Sequence, residues 1–191
     1  MDSTHRSGAP APAVALLAIA VAAISAMLLF APARAAADSG GIGTEPPSGD
    51  KAGQCRGNGN ARLLDNGKAR APRCAPRSVQ RAIRAANKIS NTKYQWGGGH
   101  ASFQSKGYDC SGAVSFMLHG GGLLGTPMTS GSFAGWGRKR RGDWITIYAN
   151  SGHVYAVVAG LRWDTSGGPG PRWHADMRSS AGFTVRHPKG L

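Results

Sequence analysis

The pattern of apolar and polar positions predicts two helices followed by a run of strands. Apolar residues recur at helical spacing from Val79 to Ile89, which predicts a helix of about three turns with Ser78 as its N-cap. A second helix is predicted by the apolar stripe that begins after Ser111, and the three glycines starting at Gly120 end it.

Segments rich in β-branched and aromatic residues follow these helices. Strand-like stretches cover residues 142–148, 154–158, 161–165 and 183–186, with a loop rich in glycine and proline at 166–172. Helices followed by consecutive strands with short connections favour an α+β domain with a mainly antiparallel sheet.

Composition divides the chain into three parts. Residues 1–37 contain a nearly unbroken apolar run at 13–30 that ends in small residues, which is typical of a cleaved export signal. The alternative is an uncleaved anchor that tethers the protein to a membrane. Residues 38–77 are rich in Gly, Pro, Ser and Asn, which indicates a flexible arm. Residues 78–191 are then one folded domain, expected to be a monomer outside the cytoplasm.

The chain is strongly basic. Its formal net charge is +14, and removing residues 1–37 takes away two arginines and one aspartate, which leaves +13. Such a charge attracts polyanions, but no helix-turn-helix or zinc-finger pattern accompanies it, so no specific nucleic-acid partner is expected. The densest basic run, residues 138–141, is interpreted as a solvated loop, with a dedicated binding patch as the alternative.

The three cysteines suggest one disulfide and one free thiol. Cys55 and Cys74 lie in the polar arm, and a bridge across their loop would add about 3 kcal/mol by restricting the unfolded chain. The alternative is that both stay unpaired. The pairing would leave Cys110 as the free thiol.

Cys110 is the candidate nucleophile. It lies between glycines in residues 107–112, where the second predicted helix begins, and a helix N-terminus favours a thiolate through its partial positive charge. His153 begins an apolar strand 43 residues later and is the candidate base. Asp109 is expected to cap the helix and to point away from the thiol, because a carboxylate beside a thiolate would oppose ionisation.

The candidate third member depends on a turn. If Ala159 and Gly160 form a two-residue connection, strand alternation places Asp164 on the same face as His153, about 7 to 8 Å away. An acid there would fix the tautomer of the ring and favour the imidazolium. A three-residue turn would end this argument. His174 is the alternative third member.

The remaining histidines and the tryptophans carry less information. No histidine or cysteine spacing is typical of a metal site, so neither a metal nor another cofactor is expected. The tryptophans are interpreted as core residues and cleft walls rather than a base-stacking platform. They are Trp96, Trp136, Trp144, Trp163 and Trp173.

Four motifs, taken in order, resemble the NlpC-type family of papain-like peptidoglycan peptidases. They are Tyr94 with Trp96-Gly97-Gly98, then Asp109-Cys110-Ser111-Gly112, Gly142-Asp143-Trp144 and Gly152-His153-Val154. The resemblance covers residues 78–166 and implies a papain-like α+β domain, with the cysteine at a helix N-terminus packed on the sheet.

The resemblance also implies an activity. It makes the protein an exported cysteine endopeptidase, secreted or associated with the cell wall, whose partner is peptidoglycan and whose substrate bonds lie in the stem peptides. Cys110 becomes the nucleophile, His153 the general base, and Tyr94 a group beside the oxyanion site. The family's third polar residue is usually His, and Asp164 stands one position short of it.

Two parts of the chain depart from the family pattern. Residues 99–106 form a longer segment than the family's usual spacing and contain His100, which could reshape the cleft beside the cysteine. Residues 167–191 lie outside the motifs, and their role is open.

Two other functions fit the same residues. An amidase or an acyl transferase would use the same thiol site, because the catalytic residues define the reaction and the cleft walls define the substrate. The other alternative is a non-catalytic basic module that binds a wall polymer or another polyanion. Its support in the sequence is the positive charge.

Overall fold

The computed structural model describes residues 59–191, which form helices packed on a six-stranded sheet. The predictions for residues 1–37, including the tether at 13–30, and for Cys55 lie outside the described residues. None of the helices in residues 59–191 is long and apolar enough to span a bilayer.

The domain contains three helices and eight strands within these residues. In chain order they are β1 (Arg62–Leu63), β2 (Ala69–Arg70), α1 (Arg77–Ile89), α2 (Cys110–Gly120), α3 (Ser130–Phe133), β3 (Arg138–Lys139), β4 (Ile145–Ala149), β5 (Val154–Val158), β6 (Leu161–Asp164), β7 (Arg172–His174) and β8 (Thr184–His187). Strands β1 and β2 form a hairpin, and the other six form one sheet in the order β3-β8-β4-β5-β6-β7.

The sheet has the predicted character. All its neighbouring strands are antiparallel, which confirms the α+β class with a mainly antiparallel sheet. The pattern does not predict β3 and β7, because strands of two and three residues are too short to show an alternation.

Helix α1 buries the apolar stripe that predicts it, including Val79, Ile83 and Ile89. The helix begins at Arg77 and its N-cap residue is Pro76, without a side-chain cap, so the prediction of Ser78 as N-cap is wrong. Proline is tolerated at this position because the first N–H groups of a helix have no partner within it.

The folded domain begins before the predicted boundary at residue 78. The β1–β2 hairpin is tied to α1 by a reciprocal pair of bonds: Ala69 N–H donates to Asn87 Oδ1 at 2.9 Å, and Asn87 Nδ2 donates to the Ala69 carbonyl at 2.8 Å. Three alanines of this segment join the core. Residues 59–77 are therefore ordered, a correction to the flexible arm predicted over 38–77, and small buried alanines give no apolar period that would reveal them.

The central strands bury one face against the helices. Val154, Ala156 and Val158 of β5 are fully buried in the main core, and Trp163 of β6 donates its Nε1–H to the Ala113 carbonyl of α2 at 3.2 Å. The remaining side chains of β5 lie on the other face of the sheet because side chains alternate along a strand. The helix that carries Cys110 is thus packed directly on the strands near His153.

Four of the five tryptophans lie in or against the core, which fits the core part of the prediction of core residues and cleft walls. Trp163 and Trp173 are buried, and Trp136 and Trp144 pack against the core. Trp96 is 87 % exposed, so it is not a core residue.

The hairpin between β5 and β6 has the predicted two-residue connection. Ala159 and Gly160 both have positive φ, at 45° and 83°, which suits the tight turns that match the twist of a hairpin. Val158 pairs with Leu161, and Val157 pairs with Arg162, so the predicted register is confirmed.

The start of α2 is packed against the glycine turn at residues 97–99. A Cβ on Gly112 would lie 1.9 Å from the carbonyl oxygen of Gly98, and a Cβ on Gly98 would lie 2.2 Å from the carbonyl oxygen of Gly107. Only glycine allows this approach, which holds the turn against Gly112, two residues after Cys110.

Replacing Gly112 should therefore destabilise the domain. We expect Gly112→Ala to lower the free energy of unfolding by about 3 kcal/mol or more, because the new methyl group meets backbone that cannot move without shifting the helix. Gly131→Ala is the control, since nothing lies within 4 Å of its Cβ position. Urea unfolding of both variants tests this, and equal stability of the two would contradict it.

Candidate active site

Cys110 is the first residue of α2 and is buried. It is the free cysteine of residues 59–191, whereas Cys74 is disulfide-bonded. Cys110 therefore has both features predicted for a nucleophile, a free thiol and a position at a helix N-terminus.

Asp109 caps this helix through its carboxylate. Gly112 N–H donates to Asp109 Oδ1 at 2.8 Å, and Gly97 N–H donates to Asp109 Oδ2 at 3.1 Å. The carboxylate thus connects the helix start to the glycine turn, as a capping aspartate should.

His100, which the sequence indicates only as part of the long segment 99–106, is a residue of the site. Its Nε2 lies 2.9 Å from Asp109 Oδ2 and 2.8 Å from Ser111 Oγ, next to the nucleophile. The signal in the sequence was its place in the segment 99–106, which is longer than the family pattern. Asp109 is therefore bound by a side chain as well as by backbone N–H groups.

His153 lies between the thiol and a carboxylate. Its Nε2 is 2.9 Å from Asp164 Oδ1, so Nε2 carries the proton of the neutral ring and Nδ1 is left for the thiol. Burial lowers the pKa of His153, but hydrogen bonds with Asp164 and Cys110 and their negative charges outweigh it and raise the pKa to about 9. The site therefore favours the imidazolium that forms when the ring takes the thiol proton.

Asp164 is held by four donors. Oδ1 accepts from His153 Nε2 and from Ser166 N–H at 3.0 Å, while Oδ2 accepts from Arg162 Nη1 at 2.7 Å and from Arg178 Nη1 at 3.1 Å. Burial raises the pKa of Asp164, but these partners hold it well below its usual range. The carboxylate is therefore ionised near neutral pH.

His174 lies on β7, which is separated by β6 from β5, the strand that follows His153. It is paired with Arg162 across β6 and β7, and its ring lies 3.8 Å from Asp176. Burial and the charge of Arg162 lower its pKa. Within residues 59–191 no hydrogen bond joins His174 to His153, so the structure brings Asp164 to the base and leaves His174 apart.

Tyr94 lies at the mouth of the site and is 46 % exposed. Burial and the negative charges of Cys110 and Asp109 raise the pKa of its phenol. The hydroxyl group is therefore neutral near pH 7 and available as a hydrogen-bond donor close to the thiol.

No protein-family model and no curated protein matches the sequence. Several solved structures are similar to the chain. The peptidoglycan hydrolase RipB from Mycobacterium tuberculosis is 27 % identical with a TM-score of 0.48, over 58 % of this chain and 64 % of that one. The match thus spans less than two thirds of the RipB chain.

Two further solved structures are similar at lower identity. The P60 domain of antigen MAP1204 from M. avium subspecies paratuberculosis is 23 % identical, with a TM-score of 0.46 over 57 % of this chain and 93 % of that one. RipD from M. tuberculosis, a non-catalytic NlpC/p60 domain protein, is 17 % identical, with a TM-score of 0.45 over 58 % and 96 %. These are proteins of the NlpC/p60 type, which the four motifs of the sequence also resemble.

The interaction between His153 and Asp164 predicts a titration. In the wild type the His153 ring should lose its proton near pH 9, and in Asp164→Asn the midpoint should fall toward the ordinary histidine value of about 6.5. Asp176→Asn is the control, because Asp176 contacts Arg162 and not the ring. NMR titration of the ring protons measures all three, and the same midpoint in wild type and Asp164→Asn would contradict the assignment.

Proposed function

We propose that the protein is an exported cysteine peptidase that hydrolyses peptide bonds in the stem peptides of peptidoglycan. The observation that carries the proposal is the position of His153, which hydrogen-bonds the buried carboxylate of Asp164 through Nε2 and interacts with the Cys110 thiol. A thiol, a base and an orienting acid in this order are what nucleophilic catalysis on an acyl group requires.

The reaction proceeds in two steps. His153 Nδ1 takes the thiol proton, and Sγ of Cys110 attacks the carbonyl carbon of the scissile bond, forming a carbon–sulfur bond. The carbon–nitrogen bond breaks as the imidazolium returns the proton to the leaving amine, which leaves a thioester on Cys110. Water, deprotonated by His153, then hydrolyses the thioester and releases the acid.

The oxyanion of each tetrahedral intermediate needs donors. The backbone N–H of Cys110 points out of the start of α2, where N–H groups have no partner within the helix. The neutral hydroxyl of Tyr94 is the second donor. This arrangement supports the role that the resemblance gives to Tyr94.

The substrate class follows from the resemblance of the four motifs to the NlpC-type family. The high positive charge of the chain suits a protein that works in an anionic cell wall. The export signal predicted for residues 1–37 would direct it there, so we propose a secreted or wall-associated enzyme.

Incubation with purified peptidoglycan tests the proposal. Mass spectrometry should show fragments in which a peptide bond within the stem has gained one water, and Cys110→Ala should slow their release at least about a thousandfold. Release of whole stem peptides from the sugar would identify an amidase, and new cross-linked products an acyl transferase. Absence of any product, or equal rates for both proteins, would contradict a thiol enzyme.

A second substitution tests the base. We expect His153→Ala to lower kcat roughly a thousandfold, as removal of a general base does. His119→Ala is the matched control, since His119 lies near the opposite end of α2 and bonds the Leu124 carbonyl. Steady-state kinetics on a stem peptide measures both, and similar losses in the two variants would indicate that His153 has no special role.

A further inference from the structure

A cavity lies on the face of the sheet that the helices do not cover. Its volume is about 260 Å³, and side chains of β4 and β5 meet there with side chains that precede β8. Its lining includes Arg141, Tyr148, Tyr155, Met177, Arg178 and Ser180. The cavity is separate from the thiol, and the proposed reaction makes no use of it.

Arg178 presents unused donors at this cavity. Its Nη1 donates to Asp164 Oδ2 at 3.1 Å and to Ser166 Oγ at 3.0 Å, and its guanidinium carbon lies 5.2 Å from the centre of the Tyr155 ring. Within residues 59–191, neither Nε nor Nη2 makes a hydrogen bond, and the side chain is 33 % exposed. One side of the guanidinium is thus bound to Asp164, and the other still has N–H groups to donate.

Arg141 supplies a second positive charge. In the described part of the chain its side chain has no hydrogen bond and no ion pair, and no acidic residue lines the cavity. Tyr155 adds a hydroxyl donor, since burial and the neighbouring Tyr148 raise its pKa to about 12 and keep it neutral. Two guanidinium groups, one of them paired with Asp164 and the other without an ion pair in the described residues, therefore border one small cavity together with a phenol.

We propose that this cavity binds a phosphate group. Arginine side chains bind oxyanions in paired hydrogen bonds, and donors on several sides suit the tetrahedral oxygens of phosphate better than the planar oxygens of a carboxylate. The phosphate is either a free ion or a phosphodiester within a polymer. The site does not depend on the proposed peptidase activity.

The cavity is linked to the catalytic residues by Arg178. The same guanidinium contacts Asp164, which in turn bonds the ring of His153. A phosphate bound to Arg178 adds negative charge near the pair formed by Asp164 and His153. Binding should therefore shift the NMR signals of the His153 ring, even in a protein whose thiol has been removed by Cys110→Ala.

Titration at constant ionic strength tests the site. The probes are inorganic phosphate and a short poly(glycerol phosphate). Calorimetry measures the affinity of each probe for the wild type, Arg141→Gln and Arg138→Gln. Arg138 is the matched control, because it belongs to the same basic run and is exposed but does not line the cavity. Loss of a charge-assisted bond should weaken binding about tenfold or more in Arg141→Gln and leave it within about twofold in Arg138→Gln.

The outcomes distinguish a free phosphate ion, a phosphodiester polymer and diffuse attraction to a basic surface. Tighter binding of inorganic phosphate assigns the site to the free ion, and tighter binding of the polymer assigns it to a phosphodiester. Equal weakening in both variants would show only diffuse attraction to a basic surface, which overturns the proposal. No saturable binding of either probe, or binding that leaves the His153 signals unmoved, would overturn it as well.

Discussion

The carboxylate of Asp164 is fully buried, and the arrangement of the site depends on it. Burying a charge costs several kcal/mol unless donors surround it, and here His153, Ser166, Arg162 and Arg178 all donate to its two oxygens. One oxygen orients the base toward the thiol, and the other holds two arginines together. The candidate catalytic site and the cationic cavity are therefore linked through one buried charge.

The carboxylates of Asp109 and Asp164 have different roles because they accept hydrogen bonds from different donors. Asp109 accepts backbone N–H groups at the start of α2 and fixes the glycine turn beside Cys110. Asp164 accepts side-chain donors at the end of β6 and orients His153. In the proposed reaction each aspartate positions one reacting residue, and neither needs to accept or donate a proton itself.

Local rules predicted the parts of this arrangement that depend on neighbours in the chain. The cap at Asp109, the helix at Cys110 and the β5–β6 register follow from spacing and from the turn at residues 159–160. Contacts between residues that are far apart in the chain leave no pattern in the spacing of the sequence. His100 reaches Asp109 from a polar loop, and Arg178 reaches Asp164 from a segment whose role the sequence left open. The short strands in residues 59–77 lack the length that periodicity needs.

The most direct test of the central claim is covalent labelling by a stem-peptide chloromethyl ketone. In this reagent a chloromethyl group replaces the leaving amine at the scissile carbonyl. Mass spectrometry should find one label per protein, on Cys110, and the labelling rate should fall sharply in Asp164→Asn because the base is no longer oriented. Labelling of another residue, no labelling at all, or the same rate in Asp164→Asn would contradict a nucleophile activated by the His153 and Asp164 pair.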